Sequence, residues 1–241
     1  MNITKKTTVG ELVAQDYRTA SVFKKNKIDF CCNGGRSIEE ACEKKQLESN
    51  HLIEQLKQVT AEKKDSSVDY NSWPLDLLAD YIEKKHHRYV EAKTLEIMPF
   101  LDKVMRVHGG RHPELLEVGK LFKESAGELA MHMKKEEFIL FPYIRKMVQA
   151  QQTGTAVHAP FGSVQNPIQT MMHEHDSEGE RFGKIASLTD NYTPPADACN
   201  TYRVTFSLLK EFEEDLNLHI HLENNILFPK SIALEESFAA V

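Results

Sequence analysis

Two stretches of this chain repeat one pattern, and the pattern suits metal binding. His132-Met-Lys-Lys-Glu136-Glu-Phe-Ile139-Leu140-Phe141-Pro142 and His219-Ile-His-Leu-Glu223-Asn-Asn-Ile226-Leu227-Phe228-Pro229 both read H-x3-E-x2-I-L-F-P. Residues four apart on a helix stand one turn apart on the same face. Such a His/Glu pair offers a metal one imidazole nitrogen and one carboxylate from a single helix. Two helices turning these pairs into one core supply two imidazoles and two carboxylates, and a carboxylate can bridge two metals. The order is the reverse of the ferritin-like Glu-x-x-His; Glu83 to His86 fits that order but finds no second copy in the long helices. The bland alternative is a pair of surface ion pairs. Against it, Leu129, His132, Glu136, Ile139 and Tyr143 fall on one stripe, and Phe212, Leu216, His219, Glu223 and Ile226 on another. A carboxylate in an apolar stripe is expensive to bury without partners.

Other histidines divide by helix face. In Met172-His173-Glu174-His175-Asp176, His175 shares a face with Ile168, Met171, Met172, Phe182 and Ile185, whereas His173 points about 160° away. His175 is therefore the ligand candidate and His173 is expected in solvent. His86 and His87 both fall within a broad apolar arc, and periodicity does not choose between them. His221 lies off the face of His219 and is expected in solvent. His51, His108, His112 and His158 are given no part in the site. Cys31-Cys32 precedes a helix start, where the dipole lowers a thiol pKa; the pair reads as redox or transfer thiols, or as two small residues in a tight turn. Cys42 and Cys199 are given no role.

The elements that must position these groups are helical. Residues 1–62 read as short helical pieces, with Ser37-Ile38-Glu39-Glu40 as a capping box opening a helix toward Lys45 and a second helix over 50–62. A polar stretch, 63–73, reads as a linker. Four longer helices are predicted over 74–108, 113–152, 168–188 and 198–232, and nothing shows the period-2 alternation of a sheet. The expected fold is all-α: an up-down antiparallel four-helix bundle over 74–241 behind a small helical N-terminal domain over 1–62.

Composition closes off other classes. Lys+Arg is 30 and Asp+Glu is 36, a net charge of −6, with no basic stripe for nucleic acid. The apolar runs are too short to span a bilayer, which takes about 20 residues. No apolar leader opens the chain, and four cysteines do not make a disulfide framework. A cytoplasmic location is expected.

With these residues in view, the chain resembles the Repair of Iron Centers (ScdA/YtfE) family of di-iron proteins. The His/Glu repeat and Glu174-His175-Asp176 resemble a hemerythrin-like domain, and Asp29-Phe30-Cys31-Cys32-Asn33-Gly34-Gly35 resembles the family's small N-terminal domain. The resemblance implies two non-haem iron ions, oxo- and carboxylate-bridged. Their implied ligands are His132, Glu136, His175, His219 and Glu223, with His87 chosen over His86 because the family's first histidine stands thirteen residues after the proline, here Pro74. It implies repair of iron–sulfur clusters damaged by nitrosative or oxidative stress, through iron delivered from a labile site. Damaged iron–sulfur proteins would be the partners, with nitric oxide or dioxygen as small ligands, no nucleic acid and no membrane; a homodimer is compatible. Competing readings are a nitric oxide reductase, an oxygen or nitric oxide sensor, and a di-zinc hydrolase, the last without a visible general base beyond the ligands.

Overall fold

The computed structural model describes residues 3–61 and 68–239. Among them the secondary structure is helical, with one isolated bridge between Thr8 and Ser37 and no strand. The helices are α1 (Val9–Gln15), α2 (Thr19–Lys25), α3 (Ile38–Lys45), α4 (Ser49–Ala61), α5 (Leu75–Tyr81), α6 (Arg88–His108), α7 (Glu114–Lys135), α8 (Phe141–Thr153), α9 (Gln165–Leu188), α10 (Asn200–Leu222) and α11 (Phe228–Ala239). Three π-helical segments join them: Ile82–His87 links α5 to α6, Glu136–Leu140 links α7 to α8, and Glu223–Leu227 links α10 to α11. The four long rods expected from the sequence are thus present, three of them carrying one wide turn. Residues 63–67 of the expected linker lie outside the described residues.

The chain forms two compact units. One comprises residues 79–219, the other residues 1–78 with 220–241. In the first, the rods meet on aromatic side chains. Phe212 of α10 lies 5.3 Å from Phe122 of α7, 5.6 Å from Phe182 of α9 and 6.3 Å from Tyr89 of α6 between ring centroids. One residue thus gathers four helices around an apolar core of the kind that periodicity anticipates, with Ile97, Leu101, Phe122 and Ile185 fully buried beside it. Gly109 caps α6, and Gly154 caps α8 with φ 65°, a left-handed conformation that glycine adopts without penalty.

The second unit rests on two capping boxes. Ser37 and Glu40 open α3 as the sequence predicts, and Thr8 and Glu11 open α1 in the same way. The two caps lie side by side: Val9 N–H donates to the Arg36 carbonyl and Ile38 N–H to the Thr7 carbonyl, at 2.9 and 3.0 Å. Gly10 and Gly34 pack where a Cβ would displace the side-chain amide of Asn225, and at Gly34 it would also collide with the Phe30 carbonyl. That amide belongs to the third π segment and donates to the carbonyls of Phe30 and Cys31 at 3.2 and 3.3 Å. Asn224 also donates to the Cys31 carbonyl, at 3.3 Å. The Cys31-Cys32 turn is therefore fastened to the residues that follow Glu223.

Candidate metal centre

Candidate ligands stand at all three wide turns. His87 ends the first π segment, Glu136 opens the second and Glu223 opens the third. In the two copies of the repeat the local cause is visible. Phe141 N–H donates to the Glu136 carbonyl and Phe228 N–H to the Glu223 carbonyl, each five residues back. Pro142 and Pro229 come next; a proline has no N–H and its ring clashes with the carbonyl four residues earlier, so a wider turn relieves it. Pro99 sits inside α6 without a π turn, so a proline alone does not produce one. π turns inside α-helices are concentrated at functional sites.

The donors converge. His87, Glu136 and His219 present ligand atoms within 4.8 Å of one another, and so do His132, Glu136 and His175. Glu136 belongs to both groups: its Oε2 lies 3.3 Å from Nε2 of His87 and 3.3 Å from Nε2 of His132. The Nε2 atoms of His132 and His175 are 3.1 Å apart, and the His87 and His219 rings are 5.0 Å apart between centroids. Each of these side chains is buried, as is Glu223, one turn beyond His219 on the same helix.

Three carboxylates orient the imidazoles from behind. Nδ1 of His87 donates to Glu137 at 3.0 Å, Nδ1 of His132 to Glu174 at 2.8 Å, and Nδ1 of His86 to Asp215 at 3.0 Å. A carboxylate only accepts, so the proton sits on Nδ1 and Nε2 carries the lone pair. Metal-bound histidines are held in this way. The hydrogen bond from His132, assisted by Lys135, brings the Glu174 carboxyl down to about 2 against the opposing effect of burial. Burial pushes Glu137 upward, but Lys134, His87 and Arg88 outweigh it and leave its pKa lowered. Both acids are therefore ionised at neutral pH, as acceptors must be. Imidazole lone pairs and a buried carboxylate gathered this closely fit a transition-metal cation, with donor types that suit iron, manganese or zinc.

His86 differs from its neighbour. It is fully buried and stacked on His219 at 5.6 Å, yet it falls outside both ligand groups, and its Nε2 has no hydrogen-bond partner among the described residues. His173 is exposed, as expected. His221 is not: it is buried against Tyr17 and Phe30, with Nδ1 accepting from Asn225 at 3.0 Å. Tyr17 and Phe30, from the connections on either side of α2, pack on His221, which periodicity within α10 could not show. Ile139 also departs from its expected stripe. It is 48 % exposed while Leu140 is buried, because the π turn delays the helix by one residue.

A cavity of about 270 Å³ reaches the His132 and His175 side. It is lined by Glu128, Glu174, Glu178, Lys135 and Met131 as well, and Met131 is 63 % exposed, so it opens to the surface. Elsewhere, Asp29, Cys31 and Cys32 form a third group of donor atoms within 4.8 Å. The lowered thiol pKa expected there is not found for Cys31. Its partner Cys32, burial and the Asp29 carboxylate raise it well above the usual value. Helix α3 starts only at Ile38, too far along the turn for its dipole to reach the sulfur.

The acceptors Glu137, Glu174 and Asp215 escaped the sequence reading, although each stands beside or one turn before a candidate ligand. The two copies of the repeat differ at just such a place. Glu137-Phe138 in one orients His87, whereas Asn224-Asn225 in the other grips the Cys31 turn.

Comparison with known proteins places the chain in a family. Residues 78–231 match the family described as hemerythrin HHE cation binding domain, and residues 5–60 match ScdA_N, a domain of unknown function. The chain is 35% identical over 225 residues to the iron-sulfur cluster repair protein YtfE of Musicola paradisiaca, covering 93% of this chain and 96% of that one. It is 34% identical, with the same coverage, to the protein of that name from Yersinia pseudotuberculosis. The chain belongs to the YtfE family of iron–sulfur cluster repair proteins, with a hemerythrin-type cation-binding domain behind an ScdA_N domain.

Proposed function

We propose that this protein holds two iron ions between His87, His132, Glu136, His175, His219 and Glu223 and donates iron to damaged iron–sulfur clusters. The observation that carries this reading is Glu136, shared by two groups of histidine nitrogens whose rings are aimed from behind by carboxylates. The name of the relatives supplies the process: cluster repair. Glu223, the second carboxylate of the repeat, would complete the six donors that hold the ions. When bound, the ions supply labile iron and open positions for nitric oxide or dioxygen.

The chain's own residues set how iron is held and let go. Glu137 and Glu174 keep the His87 and His132 rings in the binding tautomer. Six protein donors shared between two ions would leave the ions exchangeable. The cavity beside His132 and His175 gives that side access to solvent past three carboxylates, a path that suits a departing cation. Cys31 and Cys32 are read as transfer thiols with Asp29 beside them, on a turn tied to the residues after Glu223. A cytoplasmic setting follows from this role, and no helix among the described residues is long and apolar enough to cross a membrane.

The test is anaerobic. Iron-loaded protein is mixed with nitric oxide and a nitric-oxide-damaged cluster enzyme, and iron release, enzyme recovery and nitrous oxide are followed together. Recovery that tracks iron leaving the protein is expected. Nitrous oxide formed with the iron retained would overturn donation in favour of nitric oxide reduction.

A further inference from the structure

About 30 Å from His87 along α6, by the 1.5 Å rise of a helix, a thiol meets an imidazole. Cys199 is exposed and stands immediately before α10, a helix of 23 residues. Nε2 of His108, the last residue of α6, lies 3.2 Å from its sulfur. The His108 ring is 5 % exposed, and its Nδ1 has no hydrogen-bond partner among the described residues. Its polar chemistry is thus directed at the sulfur.

The acidic groups Asp197 and Glu114, near this end, are engaged with other partners. Asp197 pairs with Arg111 at 3.1 Å and with His112 at 3.0 Å, and Glu114 pairs with the other nitrogen of His112 at 3.2 Å. The backbone of Tyr202 and Thr201, in the first turn of α10, lowers the pKa of the sulfur against the opposing effect of burial. Burial sends Cys42 the other way, and Cys31 is raised as described above. A thiol beside a base at a helix start has the arrangement of an activated nucleophile.

We propose that Cys199 and His108 form a nucleophile–base pair that captures low-molecular-weight disulfides as a mixed disulfide. His108 Nε2 takes the Sγ proton. The thiolate attacks one sulfur of the disulfide RSSR, so that the Cys199–S–S–R bond forms as the reagent's S–S bond breaks. The leaving thiolate takes the proton back from His108 and departs as RSH. Cys199 is oxidised and half of the reagent is reduced; no further oxidant is needed. The pair is separate from the metal donors, so its chemistry stands or falls independently of iron.

The test uses the full iron-loaded chain, glutathione disulfide at neutral pH, and peptide mass spectrometry. One glutathionyl group on the Cys199 peptide is expected, absent from Cys199→Ser, whose iron content is unchanged. In His108→Gln each unit of rise in the thiol pKa lowers the thiolate fraction about tenfold. The more basic thiolate is the better nucleophile and recovers about half of that on a logarithmic scale, leaving capture about threefold slower. Because His108 is buried, wild-type protein supplies a second readout: iodoacetamide alkylation of Cys199 against pH, with its midpoint below the ordinary value of about 8.5. An adduct mainly on Cys32, equal capture by wild type and His108→Gln, or a midpoint at or above the ordinary value would overturn the proposal.

Discussion

Nδ1 of His132 lies 2.8 Å from a carboxylate oxygen of Glu174, the residue just before His175. One helix thus supplies a candidate ligand and, from the adjoining position, the group that aims a ligand on another helix. Glu174→Gln keeps the shape but weakens the acceptor. Losses of an outer carboxylate of this kind cost about 10–100-fold in metal affinity. Competition with a coloured chelator should show a drop of that size in one of two bound irons. Unchanged affinity would remove Glu174 from the centre.

Metal analysis of alanine variants tests the donor set. Wild type should hold about two iron ions per chain. Substitution of His87, His132, Glu136, His175, His219 or Glu223 should each empty the centre or leave it partly filled. His86→Ala and His173→Ala should keep their iron. His86 is the sharper comparison, because it is as deeply buried as His87 and differs only in where its Nε2 points relative to the gathered donors. Iron lost from His86→Ala and kept in His87→Ala would reverse the assignment.

His221 gives the iron-free protein an acid-sensitive joint. Burial lowers its pKa to about 3, against 6.5 for a free histidine. Tyr17, Phe30 and Asn225 face it, and none carries a charge at neutral pH. Its folded pKa is depressed, so its contribution to stability is complete above pH 6.5. Below that, the unfolded chain binds a proton that the folded chain refuses, and stability is lost as pH falls toward 3, by at most about 1.4 kcal/mol per pH unit. The Tm of iron-free protein should drop between pH 6.5 and 4, and His221→Phe should flatten that drop. Parallel curves for the two proteins would assign the slope to other groups.

The paired thiols carry a separate expectation. Cys31→Ser/Cys32→Ser should bind iron normally, since both residues lie outside the histidine groups. Rescue of a damaged cluster enzyme should fall. Equal rescue would leave iron release without a thiol step. With its pKa raised, Cys31 in the wild type should also alkylate more slowly at neutral pH than a free cysteine.

Much of this was legible in the residues. Ser37 with Glu40, the four long helices and the His/Glu repeat each rest on short-range rules of capping and periodicity, and these survived folding. Two further things needed the third dimension. A helix wheel assumes 100° per residue, so it could not anticipate the π turns that expose Ile139 and bury Leu140. Nor could it show Tyr17 and Phe30 packing on His221, which is why that residue reads as solvated and is buried. The choice between His86 and His87 was open for the same reason: both face inward, and only their contacts separate them, Nε2 of His87 lying 3.3 Å from Glu136 while His86 falls outside the gathered donors.

A π turn holds one residue more than the α-helical ladder requires, and the turn itself absorbs that surplus. Beyond Glu136–Leu140, α8 buries Tyr143, Ile144, Met147 and Val148. Deleting Phe138, which is 74 % exposed and makes no obvious demand of its own, would let the ladder close. The residues after it would then keep their phase, because the wide turn had already absorbed the extra one, and those four side chains would stay in the core. The surplus is thus local: it shapes the turn that opens at Glu136 and leaves the two halves of the rod in step.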